Sequence, residues 1–206
     1  MTEAVVQTVF DRYPGFDEHH RSIALWLYHG GGSVFLQDAD SLVMKTDDIV
    51  TILRHIRDAF PSVTRITTYC RSKTAARKSV QELRSLRDAG LARIHVGMES
   101  GLDPLLKLFQ KGATAADHIA AGQKIRTAGI SLCEYVIPGL GGQLYSREHA
   151  AETARVINAI DPDFVRLRTL HVVNGTPLME MMQKGEFSPL GDEEVLREIR
   201  AFLSAL

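Results

Sequence analysis

The chain has 206 residues, 45% of them hydrophobic and 24% charged, with a formal net charge of −1. This is ordinary for a soluble globular protein, and the near-zero charge argues against a partner recognised as a polyanion or an acidic membrane surface. No apolar run approaches the roughly 20 residues that a bilayer span needs.

The length predicts a single domain over residues 1–206, with a helical lead-in up to about residue 30. The N-terminal MTEAVVQTVFDRYPG carries acidic residues and no basic lead-in, so it does not read as a signal peptide. Only two cysteines occur, Cys70 and Cys133. They give no disulfide framework and point to a reducing, cytoplasmic setting.

Glu3 to Arg12 reads as a short helix stopped by Pro14-Gly15. Arg21 to Tyr28 is nearly all apolar and reads as the end of a second helix, because Gly30-Gly31-Gly32 breaks the chain behind it. Val34 to Gln37 is the first clear strand, with Asp38-Ala39-Asp40 at its tip. Asp47 to Phe60 is an amphipathic helix with Ile49, Ile52, Leu53, Ile56 and Phe60 on one face. Ile66 to Cys70 is the next strand. Ser79-x-x-Glu82 is a capping box that opens a helix ended by Gly90.

Ala92 to Gly101 then alternates Ile94, Val96 and Met98 with Arg93, His95 and Gly97, and ends at Glu99-Ser100. Asp103-Pro104 starts a helix with proline at its first position, with Leu105, Leu106 and Phe109 facing inward. Thr114-x-x-Asp117 opens another helix. Ile130 to Ile137 is a strand running into Pro138-Gly139-Leu140-Gly141-Gly142, after which Ser146 is expected to cap a helix to about Ile160. Phe164 to Leu170 is the last strand. A short helix from Thr176-Pro177 and a terminal helix from Asp192 follow.

Five strands separated by helices at about 30-residue spacing predict right-handed parallel crossovers. No G-x-G-x-x-G follows the first strand, which disfavours a dinucleotide fold. The expected class is α/β: a partial (βα) TIM-like barrel, an open curved parallel sheet of about five strands with helices on the outside.

The segments VFLQDADSL, RITTYCRSK, RIHVGMESG, GISLCEYVIPGLGG and VNGTPLMEMMQKGEF occur in this order. Together they resemble the radical S-adenosylmethionine (radical SAM) superfamily, near the Fe-S oxidoreductases related to the elongator and anaerobic coproporphyrinogen oxidase branches. The resemblance covers residues 33–200 and corresponds to strands two to six of the family core. It implies an S-adenosylmethionine (AdoMet) ligand and, in intact relatives, a 4Fe-4S cluster held by a C-x-x-x-C-x-x-C loop after the first strand. This sequence contains no such loop, and two cysteines in unrelated elements do not replace it.

The resemblance also implies site positions. Asp38 and Asp40 lie where relatives contact the methionine amino group; the alternative is that Asp40 only caps a turn. Glu99 and Ser100 match a position that contacts AdoMet, often at its ribose. The alternative there is an ion pair with Arg71 or Arg168. Ile137 and Gly139 sit in a segment like the family's adenine-contacting turn, although glycine and proline alone would also give a flexible loop. His171 follows the last strand, where relatives pack adenine, and a lone strand-edge histidine is otherwise structural.

Asp17-Glu18-His19-His20 does not fit a metal-ligand spacing and reads as a solvated helix start. Lys78, Arg84 and Arg87 read as an exposed helix face, so no nucleic-acid patch is expected.

Three functions compete. One is a radical SAM-type core, not competent alone, acting on an unknown small molecule. A second is a non-enzymatic binding or assembly domain whose exposed sheet edge is covered by a partner or a second copy. A third is an aldolase-like barrel using Glu99 as base and the Gly141 loop for phosphate, disfavoured because no lysine occupies a strand tip.

Overall fold

The structure, a computed structural model, describes residues 3–13, 15 and 17–206. Two helices lead in: α1 (Glu3–Arg12) and α2 (Glu18–Tyr28). Asp17 caps α2, its carboxylate accepting the backbone N–H groups of His19 and His20, so the acidic-histidine run is indeed a helix start.

Five strands follow, β1 (Ser33–Leu36), β2 (Arg65–Cys70), β3 (Leu91–Glu99), β4 (Ser131–Val136) and β5 (Phe164–Leu167). They form one sheet in the order β1-β2-β3-β4-β5, every pair parallel. Sequential order without a switch is the barrel-type winding, as expected. β5 is shorter than the sequence suggested, ending at Leu167 rather than Leu170.

The alternation of side chains gives the two faces opposite fates. Ile66, Ile94, Val96, Met98, Leu132 and Val136 point to one side and are buried. They form a single core with the inward residues of α3 (Thr46–Ala59), α5 (Val80–Asp88), α7 (Ala115–Thr127), α8 (Gly142–Ile160) and α10 (Asp192–Ser204). Each fully buried aliphatic side chain there contributes about 1.5–3 kcal/mol relative to exposure. The opposite, inner face carries Phe35, Tyr69, His95 and Tyr135, ring against ring.

The capping boxes read from sequence are present. Ser79 and Glu82 satisfy each other's backbone at the start of α5, and Thr114 and Asp117 do the same for α7. One helix start differs from expectation. α8 begins at Gly142, so Ser146 lies one turn inside it and donates its hydroxyl to Glu198 on α10 at 2.5 Å. The short helices α4 (Ser72–Arg77), α6 (Asp103–Leu108) and α9 (Pro177–Gln183) complete the set; α4 had no clear periodic signal.

Among the described residues, no helix is long and apolar enough to cross a membrane.

Candidate functional site

Parallel strands in sequential order place their C-terminal tips along one rim of the sheet. The rim runs from Asp38 and Asp40 after β1, through Glu99 and Ser100 at the end of β3, to Ile137 and Gly139 after β4 and His171 beyond β5. Neighbouring tips are tied together. The backbone N–H of Ile137 donates to the Glu99 carbonyl at 3.0 Å, and the backbone N–H of Arg168 donates to the Val136 carbonyl at 2.8 Å.

Glu99 is the most constrained point of the rim. Its φ is +69°, a left-handed conformation for a residue with a side chain. The register to β4 shifts between Gly97 and Glu99, which re-aims the tip. The Glu99 carboxylate pairs with the amine of Lys111, not with Arg71 or Arg168. A methyl group added at Gly97 would lie 3.4 Å from both the Glu99 Oε1 and the Lys111 Nζ, so the pair sits over the inner face.

Lys111 was not legible as a site residue. It arrives from the loop behind α6, where Gln110 and Gly112 both have positive φ and turn the chain back toward the tip. The available signal was the short proline-started helix with a glycine stop.

The other rim residues divide. Asp38 is exposed, also with positive φ (+67°). Asp40 is engaged: its carboxylate accepts the Arg71 backbone N–H at 3.0 Å and the Thr74 hydroxyl at 2.5 Å. It is therefore tied to the start of α4, the helix after the neighbouring strand. The Ser100 hydroxyl, itself fully buried, accepts the Leu102 N–H at 3.0 Å.

The Pro138–Gly142 turn is buried rather than a loose loop. His171 is exposed, between Leu170 and Val172, which line a groove of about 400 Å³. Gly139, Arg168, Val195 and Ile199 form other walls of that groove.

Below the rim, the inner face combines the aromatic cluster with arginines. Arg166 donates to the Tyr135 hydroxyl at 2.9 Å, and the Arg168 guanidinium lies 5.1 Å from the Tyr135 ring centre. Burial, followed by the charges of Arg93, Arg166 and Arg65, pushes His95 down to about 4, so the ring is neutral at pH 7.

The cysteines do not form a cluster site. Both are buried. Cys70 faces the helix-packed core, where its thiol donates to the Arg71 carbonyl and burial pushes its pKa up. Cys133 lies on the inner face, also raised by burial. Among the described residues no group of three or more His, Cys, Asp or Glu could hold a metal ion. A 4Fe-4S cluster needs three or four thiolates in one place, and these residues do not fit it.

The sequential parallel sheet, helices on one face and strand tips on one rim define a partial TIM-like barrel. Its fold is that of the radical SAM core, as the motif order implied. The structure is similar to that of the archaeal Methanocaldococcus infernus Elp3, with a TM-score of 0.70 at 21% identity, covering 90% of this chain and 48% of that one. It is also similar to Escherichia coli coproporphyrinogen III oxidase, a radical SAM enzyme, with a TM-score of 0.64 at 16% identity, covering 84% and 40%.

In sequence the chain is 29% identical over 122 residues to a tRNA uridine(34) acetyltransferase of M. infernus, covering 59% of this chain and 23% of that protein. It is 33% identical over 125 residues to a biotin synthase of Nitratidesulfovibrio vulgaris, covering 59% and 31%. The chain thus spans about a third or less of these curated relatives. No family model matches it.

Proposed function

We propose that this chain is the AdoMet-facing part of a radical SAM-type barrel, taking the nucleoside end of the ligand at the tips of β3 and β4. The observation that carries this reading is the strained Glu99. A non-glycine residue held at φ +69° on a strand tip costs about 1–3 kcal/mol and persists where the site needs it. From there its carboxylate accepts two ribose hydroxyls, with Lys111 setting its orientation. The backbone of Ile137 to Gly139 and the groove beside His171 pack the adenine. Ser100 holds the turn behind Glu99. Asp40 is already committed to α4, so the methionine ammonium falls to Asp38. Reductive cleavage of AdoMet is chemistry that a cluster supplies, and no step of it is assigned to these residues.

Isothermal titration with AdoMet and with methylthioadenosine tests this. A few net hydrogen bonds of about 0.5–1.5 kcal/mol each, less the cost of ordering the ligand, give a Kd on the order of 0.1 mM or poorer. Methylthioadenosine competes, and Glu99→Gln weakens both. Identical binding by wild type and variant would remove Glu99 from the site.

A second reading, an assembly domain, is favoured by one observation: among the described residues, β1 and β5 each pair on one side only. Open strand edges invite a partner. Sedimentation showing a stable dimer with no AdoMet binding would favour it.

A further inference from the structure

At the opposite end of the inner face, near the strand starts, lies a second cavity of about 510 Å³. Its walls include Arg65, Arg93 and Arg166, from three different strands, with Phe35, His95 and Phe164. We propose that this cavity binds a small multivalent oxyanion, a phosphate-bearing or polycarboxylate molecule, through these three guanidinium groups. The inference does not depend on the AdoMet reading, because none of these residues belongs to the strand-tip rim.

Among the described residues, none of the three arginines has a carboxylate partner. Two of them are nonetheless held in place by neutral groups. Arg93 lies 3.7 Å over the Phe164 ring and donates its Nε–H to the Ser131 hydroxyl at 3.0 Å. Arg166 donates to the Tyr135 hydroxyl at 2.9 Å. Stacking and single hydrogen bonds fix the planar forks and leave most of their N–H groups for a ligand.

No acidic side chain lines this cavity to neutralise the three guanidinium groups. Like charges on one concave wall concentrate a field that draws anions. His95 lies in it: burial first, and then the charges of Arg93, Arg166 and Arg65, disfavour its protonation. Arginine forks match the paired oxygens of phosphate and carboxylate groups.

The test uses pyrophosphate and citrate at constant ionic strength, with sodium chloride as the control. Two measurements are made: thermal unfolding, and an NMR titration of the His95 ring. Bound anion offsets the three positive charges, so the pKa of His95 rises from about 4 toward its ordinary value. Both anions raise the melting temperature beyond the chloride control. Arg93→Gln and Arg166→Gln weaken binding about tenfold each, one missing charge-assisted fork. Arg65→Gln, at an exposed position as Arg166 is, leaves the fold intact and weakens binding less.

Preference for pyrophosphate identifies a phosphate ligand, and preference for citrate a polycarboxylate. An unmoved His95 in the wild type, with equal melting shifts in chloride, overturns the proposal even if an arginine variant fails to fold.

Discussion

Gly139, in the turn after β4, donates its backbone N–H to the buried carboxylate of Glu198 on α10 at 2.7 Å. The same carboxylate accepts the Ser146 hydroxyl at 2.5 Å and His149 Nδ1–H at 3.0 Å. Burial opposes the charge, but the hydrogen bonds from His149, Ser146 and Gly139 outweigh it and hold the carboxyl below its usual range. A segment that glycine and proline alone would leave mobile is thereby fastened to the last helix, 59 positions away in sequence.

Glu198→Ala leaves three donors without an acceptor in a buried place. Urea unfolding is expected to show a loss of about 3 kcal/mol, as for other broken buried pairs. Glu198→Gln keeps one acceptor oxygen and loses about half of that. Hydrogen exchange at the Gly139 amide is expected to quicken in both. An unchanged exchange rate in the alanine variant would mean that the turn is held by its packing.

The left-handed backbone of Glu99 gives a second expectation. Glu99→Ala and Glu99→Gly both delete the carboxylate, and both strip Lys111 of its partner. They differ only in how each tolerates φ +69°. The glycine variant is expected to be more stable by about 1 kcal/mol. If the alanine variant proves equal or better in chemical denaturation, the tip is not strained.

Gly101 marks where the end of β3 passes α8. A methyl group there would lie 2.5 Å from the Glu152 carbonyl oxygen and 2.7 Å from the Thr153 Cα, both backbone atoms that cannot step aside. The Gly101 N–H also donates to the Thr153 hydroxyl at 3.0 Å. Gly101→Ala is expected to cost about 3 kcal/mol, at the upper end for overpacking. A variant that melts within 2 °C of the wild type (less than about 1 kcal/mol for a chain this size) would show that α8 moves freely.

The two cysteines predict the outcome of cluster reconstitution. Cys70 faces the helices and Cys133 the inner face, so no shared iron is within reach of both. After anaerobic incubation with iron and sulfide, then desalting, the chain is expected to hold no stoichiometric 4Fe-4S absorption. Retention of close to four irons per chain would refute this.

These expectations separate what local sequence carries from what it does not. The strands were legible because Ile94, Val96 and Met98 alternate with polar residues. The caps were legible because Ser79 and Thr114 find their partners three residues on. Each is a rule over a few positions. Lys111 beside Glu99, Asp40 bound to the start of the helix after β2, and Glu198 holding Gly139 all depend on distant segments meeting in space, which no window of sequence reports. The arginines of the inner face fell between the two. Arg93 and His95 were visible as the polar half of an alternation. That this half faces a cavity shared with Arg65 and Arg166 follows only from the register of four strands.

Glu134 supplies the last prediction. It lies on β4, fully buried, and neither carboxylate oxygen has a hydrogen-bond partner among the described residues. Burial pushes its pKa up to about 8, with Lys111 opposing only in part. Folding therefore favours the protonated acid. The folded state holds a proton that the unfolded state releases near its ordinary value, so stability is full below about pH 4.5 and falls as pH rises toward 8. His95 and His118 act in the other direction. Burial lowers both to about 4, so their contribution is full well above pH 6.5 and is lost as pH falls. Between pH 6.5 and 8 the Glu134 contribution falls by about 1.6 kcal/mol, while the two histidines, half protonated in the unfolded chain at pH 6.5, still add about 0.4 kcal/mol each. A net decline of roughly 1 kcal/mol is expected across that window. Glu134→Gln keeps the shape without the ionisation and should remove the decline. Urea unfolding of both proteins at pH 6.5 and pH 8 checks this. Equal slopes for wild type and variant would mean that Glu134 reaches water or a partner as it ionises.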